Sequence, residues 1–170
     1  SLHTGLGQPR EQATQRVLNA LRNPHVDMIA HPTGRLLPDR AGADLDMDAV
    51  IAVAAETGTI LEVNADWSRL DLRDVHVRQA LAAGVKIAIN TDAHRAEEFG
   101  NRHYGVATAQ RGWATAASIV NTWPAEDLLR LLLGEVADTI LEQVEVMGAL
   151  ARLGIDLHLL HAQRPVGVEL

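Results

Sequence analysis

The chain has 170 residues, of which 47% are hydrophobic and 22% charged, a balance that predicts a globular protein with a packed core. Its net charge of -7 argues against nucleic-acid binding by charge alone, although an acidic cleft that collects cations would have the same sign. With no cysteine and no apolar stretch near the roughly 20 residues of a membrane span, zinc-thiolate and membrane-spanning proteins are excluded, and we expect a cytoplasmic protein.

Short apolar runs alternate along the chain with stretches of helical periodicity. This alternation is typical of βα units and predicts an α/β protein with a parallel sheet. Asp46 is the expected N-cap of one helix and Gly58 its C-cap. We expect residues 2–4 to end a strand and residues 155–170 to form a loose tail. The expected helices are 9–22, 47–57, 72–83, 101–111, 124–133 and 135–153, and the expected strands are 26–30, 59–63 and 85–89.

Polar residues follow each of the three apolar runs. His31 follows the first, Asn64 the second, and the pair Asp92 and His94 the third. In parallel α/β folds the carboxyl ends of the strands share one rim, where functional sites are built. His3 would lie one βα unit before His31. Neutral imidazoles with a carboxylate suit zinc, manganese or iron, so these residues are candidate metal ligands.

Each candidate also has a simpler interpretation. Asp92 could cap a turn beside a solvent-exposed His94, a lone histidine such as His31 at a strand end is often structural, and a terminal histidine such as His3 is usually exposed. Arg35 could contact a substrate phosphate with its planar guanidinium or form a salt bridge with Asp39.

Further residues receive structural interpretations. We expect Trp113 to pack against the protein rather than to stack on a nucleobase. The remaining histidines are not expected to bind metal directly: His25, His76, His103, His158 and His161.

Five ordered blocks of the sequence resemble the PHP (polymerase and histidinol phosphatase) domain of bacterial family X DNA polymerases. The resemblance covers about residues 1–133, with residues 134–170 left as a helical extension and tail of unknown role. The stretch 2–4 resembles the later metal histidine of PHP domains. The five blocks are His31–Arg35, Ile60–Asn64, Arg69–Leu72, Asn90–His94 and Tyr104–Trp113.

The resemblance implies the C-terminal portion of a distorted, TIM-like (β/α)7 barrel that carries divalent metals at its rim. His3 and His31 would share one metal, while Asp92 and His94 would each reach another, with Mn²⁺, Zn²⁺ or iron as the cofactor. The implied reaction is metal-assisted hydrolysis of a phosphate ester, such as 3′ to 5′ exonuclease action on a DNA 3′ end. Asp92 and Arg35 would take part in catalysis.

Other ligands of the family, an opening His-x-His pair, a further histidine and a bridging glutamate, would lie upstream of Ser1. We therefore expect a fragment with an incomplete site, weakly active or inactive alone, which associates with the missing half of the barrel or with a second copy. Two alternatives remain open: a non-catalytic, oligomerising module, and a phosphatase of small monoesters related to histidinol phosphatase. The block Tyr104–Trp113 favours the polymerase relatives over the latter.

Overall fold

The computed structural model describes residues 1–152. These residues fall into two compact units, the first of which is Ser1–Trp123 and the second of which begins at Pro124. The expected tail, 155–170, together with His158 and His161, lies outside the described residues. In the part of the chain that the structure describes, no helix is long and apolar enough to cross a membrane.

The first unit is built on a parallel sheet of three strands in the order β1-β2-β3. β1 is Met28–Ile29, β2 is Ile60–Asn64 and β3 is Ile87–Asn90. β2 pairs in parallel with both neighbours, which confirms the prediction of adjacent parallel strands. Along the described residues the sheet is open, and a closed barrel is not shown. The α/β class is therefore established without the barrel.

β1 is shorter than the expected strand 26–30 and lies at an edge of the sheet, where β2 is its pairing partner. Residues 2–4, expected to end a strand, have no strand conformation. At the other side of the sheet, Ile119 forms a parallel bridge with Ile87 of β3. The sheet therefore continues past β3 by a single bridge.

Helices follow the strands as the alternating pattern predicts. The helix Met47–Thr57 is capped at its start by Asp46, whose side chain accepts a hydrogen bond from the N–H of Ala49. It ends at Gly58, which has a φ of 72°. This left-handed conformation is one that glycine adopts without strain. The helices of the first unit are α1 (Arg10–Leu21), α2 (Met47–Thr57), α3 (Asp74–Ala82) and α4 (Arg102–Arg111).

The core lies between the sheet and these helices. All five residues of β2 are buried, as expected for a strand covered on both faces. The helices supply Leu21, Val50 and Val77 to the same apolar cluster. α4 approaches the sheet closely, because a Cβ at Gly105 would lie 2.6 Å from side-chain carbons of Ala65 and Ile89. The ends of β2 and β3 are therefore covered by a helix backbone.

The second unit contains α5 (Ala125–Leu133) and α6 (Glu135–Arg152) within the described residues. Arg130 of α5 donates a hydrogen bond to Asp138 of α6 at 2.9 Å. Leu131, Leu132 and Leu133 are exposed on α5. The expected division of the chain at residue 133 stays a prediction.

Candidate functional site

The carboxyl end of β1 places His31 in an unusual local conformation. His31 has a φ of 33° and only 4% of its surface is exposed. Its backbone N–H donates a hydrogen bond to Oε2 of Glu62, a buried residue of the neighbouring strand, at 2.6 Å. A positive φ is costly for a residue with a side chain, so surrounding contacts must hold it in place. The Glu62 carboxylate is one such contact.

Glu62 also connects to the third strand, because its Oε1 accepts a hydrogen bond from Asn90 Nδ2 at 2.9 Å. One carboxylate thus links residues at or beyond the ends of β1 and β3. Burial raises the pKa of Glu62, while the hydrogen bonds from Asn90 and His31 act in the opposite direction. A buried carboxylate without such donors would be strongly destabilising.

The His31 ring is buried with its Nδ1 atom lacking a hydrogen-bond partner in the described structure. Burial, followed by the positive charge of Arg69, lowers the pKa of His31. The neutral imidazole is the form that can ligate a metal. The His3 ring lies edge-on to it, with 4.8 Å between ring centroids, so the structure brings these two predicted ligands together. His3 is exposed, and its Nε2 lies 2.7 Å from Ser1 Oγ.

The turn after β3 carries the other predicted ligands. Asp92 has a φ of 54°, and its carboxylate accepts a hydrogen bond from Nε of Arg69 at 3.2 Å. His94 Nδ1 lies 2.7 Å from the carbonyl oxygen of Asp92. Because that carbonyl can only accept, Nδ1 carries a proton, and in the neutral tautomer that this contact selects Nε2 has the lone pair. Metal-ligating histidines commonly have this arrangement.

Two arginines join the loops after β1 and β2. Arg35 donates through Nε to the carbonyl of Arg69 at 2.6 Å and through Nη2 to the carbonyl of Leu70. Arg69 in turn donates to the carbonyl of Arg35 at 3.3 Å as well as to Asp92. Arg35 therefore bonds to backbone carbonyls, and no Arg35–Asp39 ion pair is present among the described residues. Its predicted contact with a substrate phosphate stays a prediction.

A second buried acid, Asp71, holds the loop that follows His31. Its Oδ2 accepts hydrogen bonds from the N–H of Thr33 at 3.0 Å and from Oγ1 of Thr33 at 2.9 Å. Burial raises the pKa of Asp71, while the Thr33 hydrogen bonds and the charge of Arg35 oppose that rise. Asp71 also pairs with Asn64 through a backbone bridge at the end of β2. Asn64 is itself buried at this position.

The remaining predicted residues are placed individually. His25 is exposed, His76 is half-buried on α3, and the exposed His103 has its Nδ1 2.6 Å from the carbonyl of Gly100. Trp113 is 68% exposed, and the Arg78 guanidinium lies 3.6 Å from its ring centroid. The expectation that Trp113 packs against the protein is therefore met only by this cation-π contact.

These donors fit a divalent metal in part. A buried imidazole with an open nitrogen beside a second imidazole is a donor set for zinc, manganese or iron. Yet no group of three or more His, Asp or Glu residues is close enough to hold an ion within residues 1–152. Asp92, moreover, is engaged by Arg69. Among the described residues His3 and His31 are a pair of candidate nitrogen ligands, and Asp92 and His94 are further candidates.

Three site residues were not singled out from the sequence: Glu62, Arg69 and Asp71. Glu62 and Asp71 are single acids within or beside otherwise apolar segments, which is the signal that could have identified them. A charge inside a fully buried strand implies dedicated donors nearby. Arg69, in contrast, could not have been identified from the sequence, because its pairing with Asp92 depends on the fold.

No family model matches the chain. It is 43% identical over 128 residues to "DNA polymerase/3'-5' exonuclease PolX" of Bacillus subtilis, an alignment covering 75% of this chain and 22% of the polymerase. It is 29% identical over 131 residues to a probable phosphatase of Thermoanaerobacter sp. (strain X514), covering 72% of this chain and 51% of that protein. A probable phosphatase of Acetivibrio thermocellus is 32% identical over 96 residues, 53% of this chain and 37% of the relative. The chain therefore spans about a fifth of the polymerase and half or less of these phosphatases.

Proposed function

The chain belongs to the PHP phosphoesterases and is related to the PHP domain of bacterial family X DNA polymerases, and we propose that it carries part of a metal-dependent site that hydrolyses phosphodiesters. The observation that carries this proposal is the buried His31, whose Nδ1 has no hydrogen-bond partner in the described structure, beside the His3 ring at the carboxyl end of β1. The names of all three relatives include an activity that hydrolyses phosphate esters, which is the chemistry that such a site supports.

In this proposal His3 and His31 hold one divalent cation, and Asp92 and His94 contribute further ligands. A cation bound there would neutralise phosphate oxygens and lower the pKa of a water molecule. Glu62 fixes the His31 backbone from the neighbouring strand. Arg69 orients the Asp92 carboxylate, and the Asp92 carbonyl selects the His94 tautomer with a free Nε2.

The proposed substrate is the 3′ end of a DNA strand, and the proposed cation is Mn²⁺, with Zn²⁺ or iron as the other candidates. The polymerase relative's exonuclease name supports the DNA substrate. Because a two-histidine pair is a weak site by itself, the proposal includes slow turnover by this chain alone and completion of the site by further protein or by a second copy.

Monoester hydrolysis is a second candidate, favoured by the relatives named as probable phosphatases. The two reactions differ in the charge of the substrate, since a diester phosphate is monoanionic and a monoester is dianionic at neutral pH. Comparing bis(p-nitrophenyl) phosphate with p-nitrophenyl phosphate at equal Mn²⁺ separates them. We expect faster hydrolysis of the diester.

The same assay tests the role of His31. We expect Mn²⁺-dependent diester hydrolysis to fall by at least about tenfold in His31→Ala, because affinity for the cation falls with each ligand lost. The matched control is His25→Ala, which removes an exposed histidine just before β1 and should keep its activity within about twofold of the parent chain. Equal loss in both variants, or hydrolysis that persists in excess EDTA, would contradict the proposal.

A further inference from the structure

A cavity of about 400 Å³ lies beside the rim and contains none of the predicted metal ligands. It is bordered by residues at the N-terminal ends of three helices: Arg10 begins α1, Met47 begins α2 and Arg73 precedes α3. Helix N-termini carry partial positive charge and favour anions. The volume falls in the range of small-molecule sites.

The cationic side chains of this cavity differ in how they are already engaged. Arg10 is paired with Asp44 at 3.2 Å and lies 3.8 Å from Asp46. Arg73 makes no side-chain hydrogen bond or ion pair within the described residues. Arg35 uses Nε and Nη2 on backbone carbonyls. Asp44 is therefore matched by Arg10, whereas the exposed Arg73 guanidinium has no ion-pair partner within the described residues.

Two further features of this cavity concern His76 and the charges around it. His76 lines the same cavity, and its buried Nδ1 lacks a hydrogen-bond partner. Burial lowers the pKa of both Arg35 and His76, and the charge of Arg73 acts in the same direction, while Asp71 and Asp74 oppose it at Arg35 and Asp48 and Asp74 oppose it at His76. Because Arg35, Arg73 and the open His76 nitrogen line one cavity, an anion bound there would gain from both guanidiniums and the imidazole.

We propose that this cavity is an anion site for a dianionic phosphate group, bound by Arg73, Arg35 and His76. Phosphate is preferred over a carboxylate because its oxygens can accept from two planar guanidiniums and an imidazole N–H at once. A free phosphate or a terminal phosphate monoester carries two negative charges. This charge matches the two guanidiniums better than the single negative charge of a phosphodiester within a DNA strand. Asp48, the other carboxylate that lines the cavity, accepts a hydrogen bond from the side-chain amide of Gln79 at 3.4 Å.

The inference does not rest on the proposed hydrolysis, and it is tested in metal-free protein with EDTA present. Isothermal titration calorimetry with inorganic phosphate should give saturable binding, with a matching shift of the His76 ring signals in NMR spectra. Succinate, a dicarboxylate, serves as the competing anion. We expect it to bind at least about tenfold more weakly than phosphate, and equal binding would overturn the assignment of phosphate.

Two sources of phosphate are distinguished with a thymidine dinucleotide, prepared with and without a 5′-phosphate. If a strand terminus is the ligand, the phosphorylated dinucleotide binds more tightly than inorganic phosphate. If a free phosphate is the ligand, the order is reversed. In either case the form without a terminal phosphate should bind at least about tenfold more weakly, and its equal binding would overturn the proposal.

Arg73→Gln should weaken phosphate binding about tenfold, as expected for the loss of one charged hydrogen-bonding group. Arg78→Gln is the matched control, because Arg78 is an exposed arginine of the same helix that stacks on Trp113 and does not line the cavity. It should bind phosphate within about twofold of the parent chain. Equal effects of the two substitutions, or absence of phosphate binding by a parent chain shown to be folded by circular dichroism, would overturn the proposal.

Discussion

Two glutamates accept a hydrogen bond from the backbone N–H of a candidate histidine, and they do so in opposite surroundings. Glu62 is buried in β2 and accepts a hydrogen bond from the backbone N–H of His31, which lies 31 positions away in the sequence. Glu98 is partly exposed and receives the N–H of His94 within the same turn, at 2.7 Å. The two ends of the predicted metal site are thus held by different kinds of contact.

The two regions differ in how far apart in the sequence their hydrogen-bonded residues lie. Around His31 the hydrogen bonds connect separate strands, so the position of the imidazole depends on the whole sheet. Around His94 they connect neighbouring residues, although Asp92 of the same turn is also held by Arg69. We infer that the β1 end is the more preorganised of the two.

The largest expected effect follows from removing the buried acceptor. Glu62→Ala leaves the His31 N–H and the Asn90 amide without their partner in the core, and we expect a loss of about 3 kcal/mol in the free energy of unfolding. Glu98→Ala exposes its two donors, the backbone N–H groups of His94 and Arg95, to water and should cost less than about 1 kcal/mol. Urea denaturation followed by circular dichroism measures both. Equal losses would show that the contrast between the two regions is wrong.

A smaller effect concerns pH and the buried acid Asp71. Its pKa is raised in the folded chain, so the folded state binds more protons than the unfolded state above about pH 4. Stability should therefore decrease as the pH rises from about 4 until the raised pKa is passed. Asp71→Asn keeps an oxygen acceptor for Thr33 and should make that decrease shallower. Thermal unfolding at several pH values measures the slope.

The control for this series is Asp39→Asn, which alters an exposed loop carboxylate. It should leave the pH dependence of the melting temperature as in the parent chain. Glu62 also has a raised pKa, so part of the decrease will remain in Asp71→Asn. A slope that is unchanged by Asp71→Asn would show that Asp71 ionises as readily in the folded chain as in the unfolded one.

The local fold followed from the sequence where a single pattern determines it. The helix 47–57 was predicted with its Asp46 cap and Gly58 terminus because both depend on residues adjacent in sequence. The parallel order followed from the alternation of strands and helices. β1 was predicted too long, because the extent of a strand depends on its partner and not on its own apolar run. Barrel closure depends on contacts beyond these strands.

The candidate site was predictable to a similar degree. The sequence indicates which strand ends carry histidines, and the structure places His3 beside His31. Nothing in the sequence indicates that Arg69 pairs with Asp92, because those residues are 23 positions apart and belong to different loops. The roles of Glu62 and Asp71 were missed for a related reason, since the donors that make a buried acid tolerable come from distant segments.

The most direct test of the metal site is paramagnetic broadening of histidine side-chain signals in NMR spectra during titration with Mn²⁺. Broadening by Mn²⁺ falls steeply with distance, so the ligands lose intensity before other histidines. We predict that the His31 and His3 ring signals disappear first, at less than one equivalent, followed by His94, while those of His25 and His103 persist. Earlier loss of the His25 or His103 signals, or uniform broadening of all five, would contradict a metal site at the end of β1.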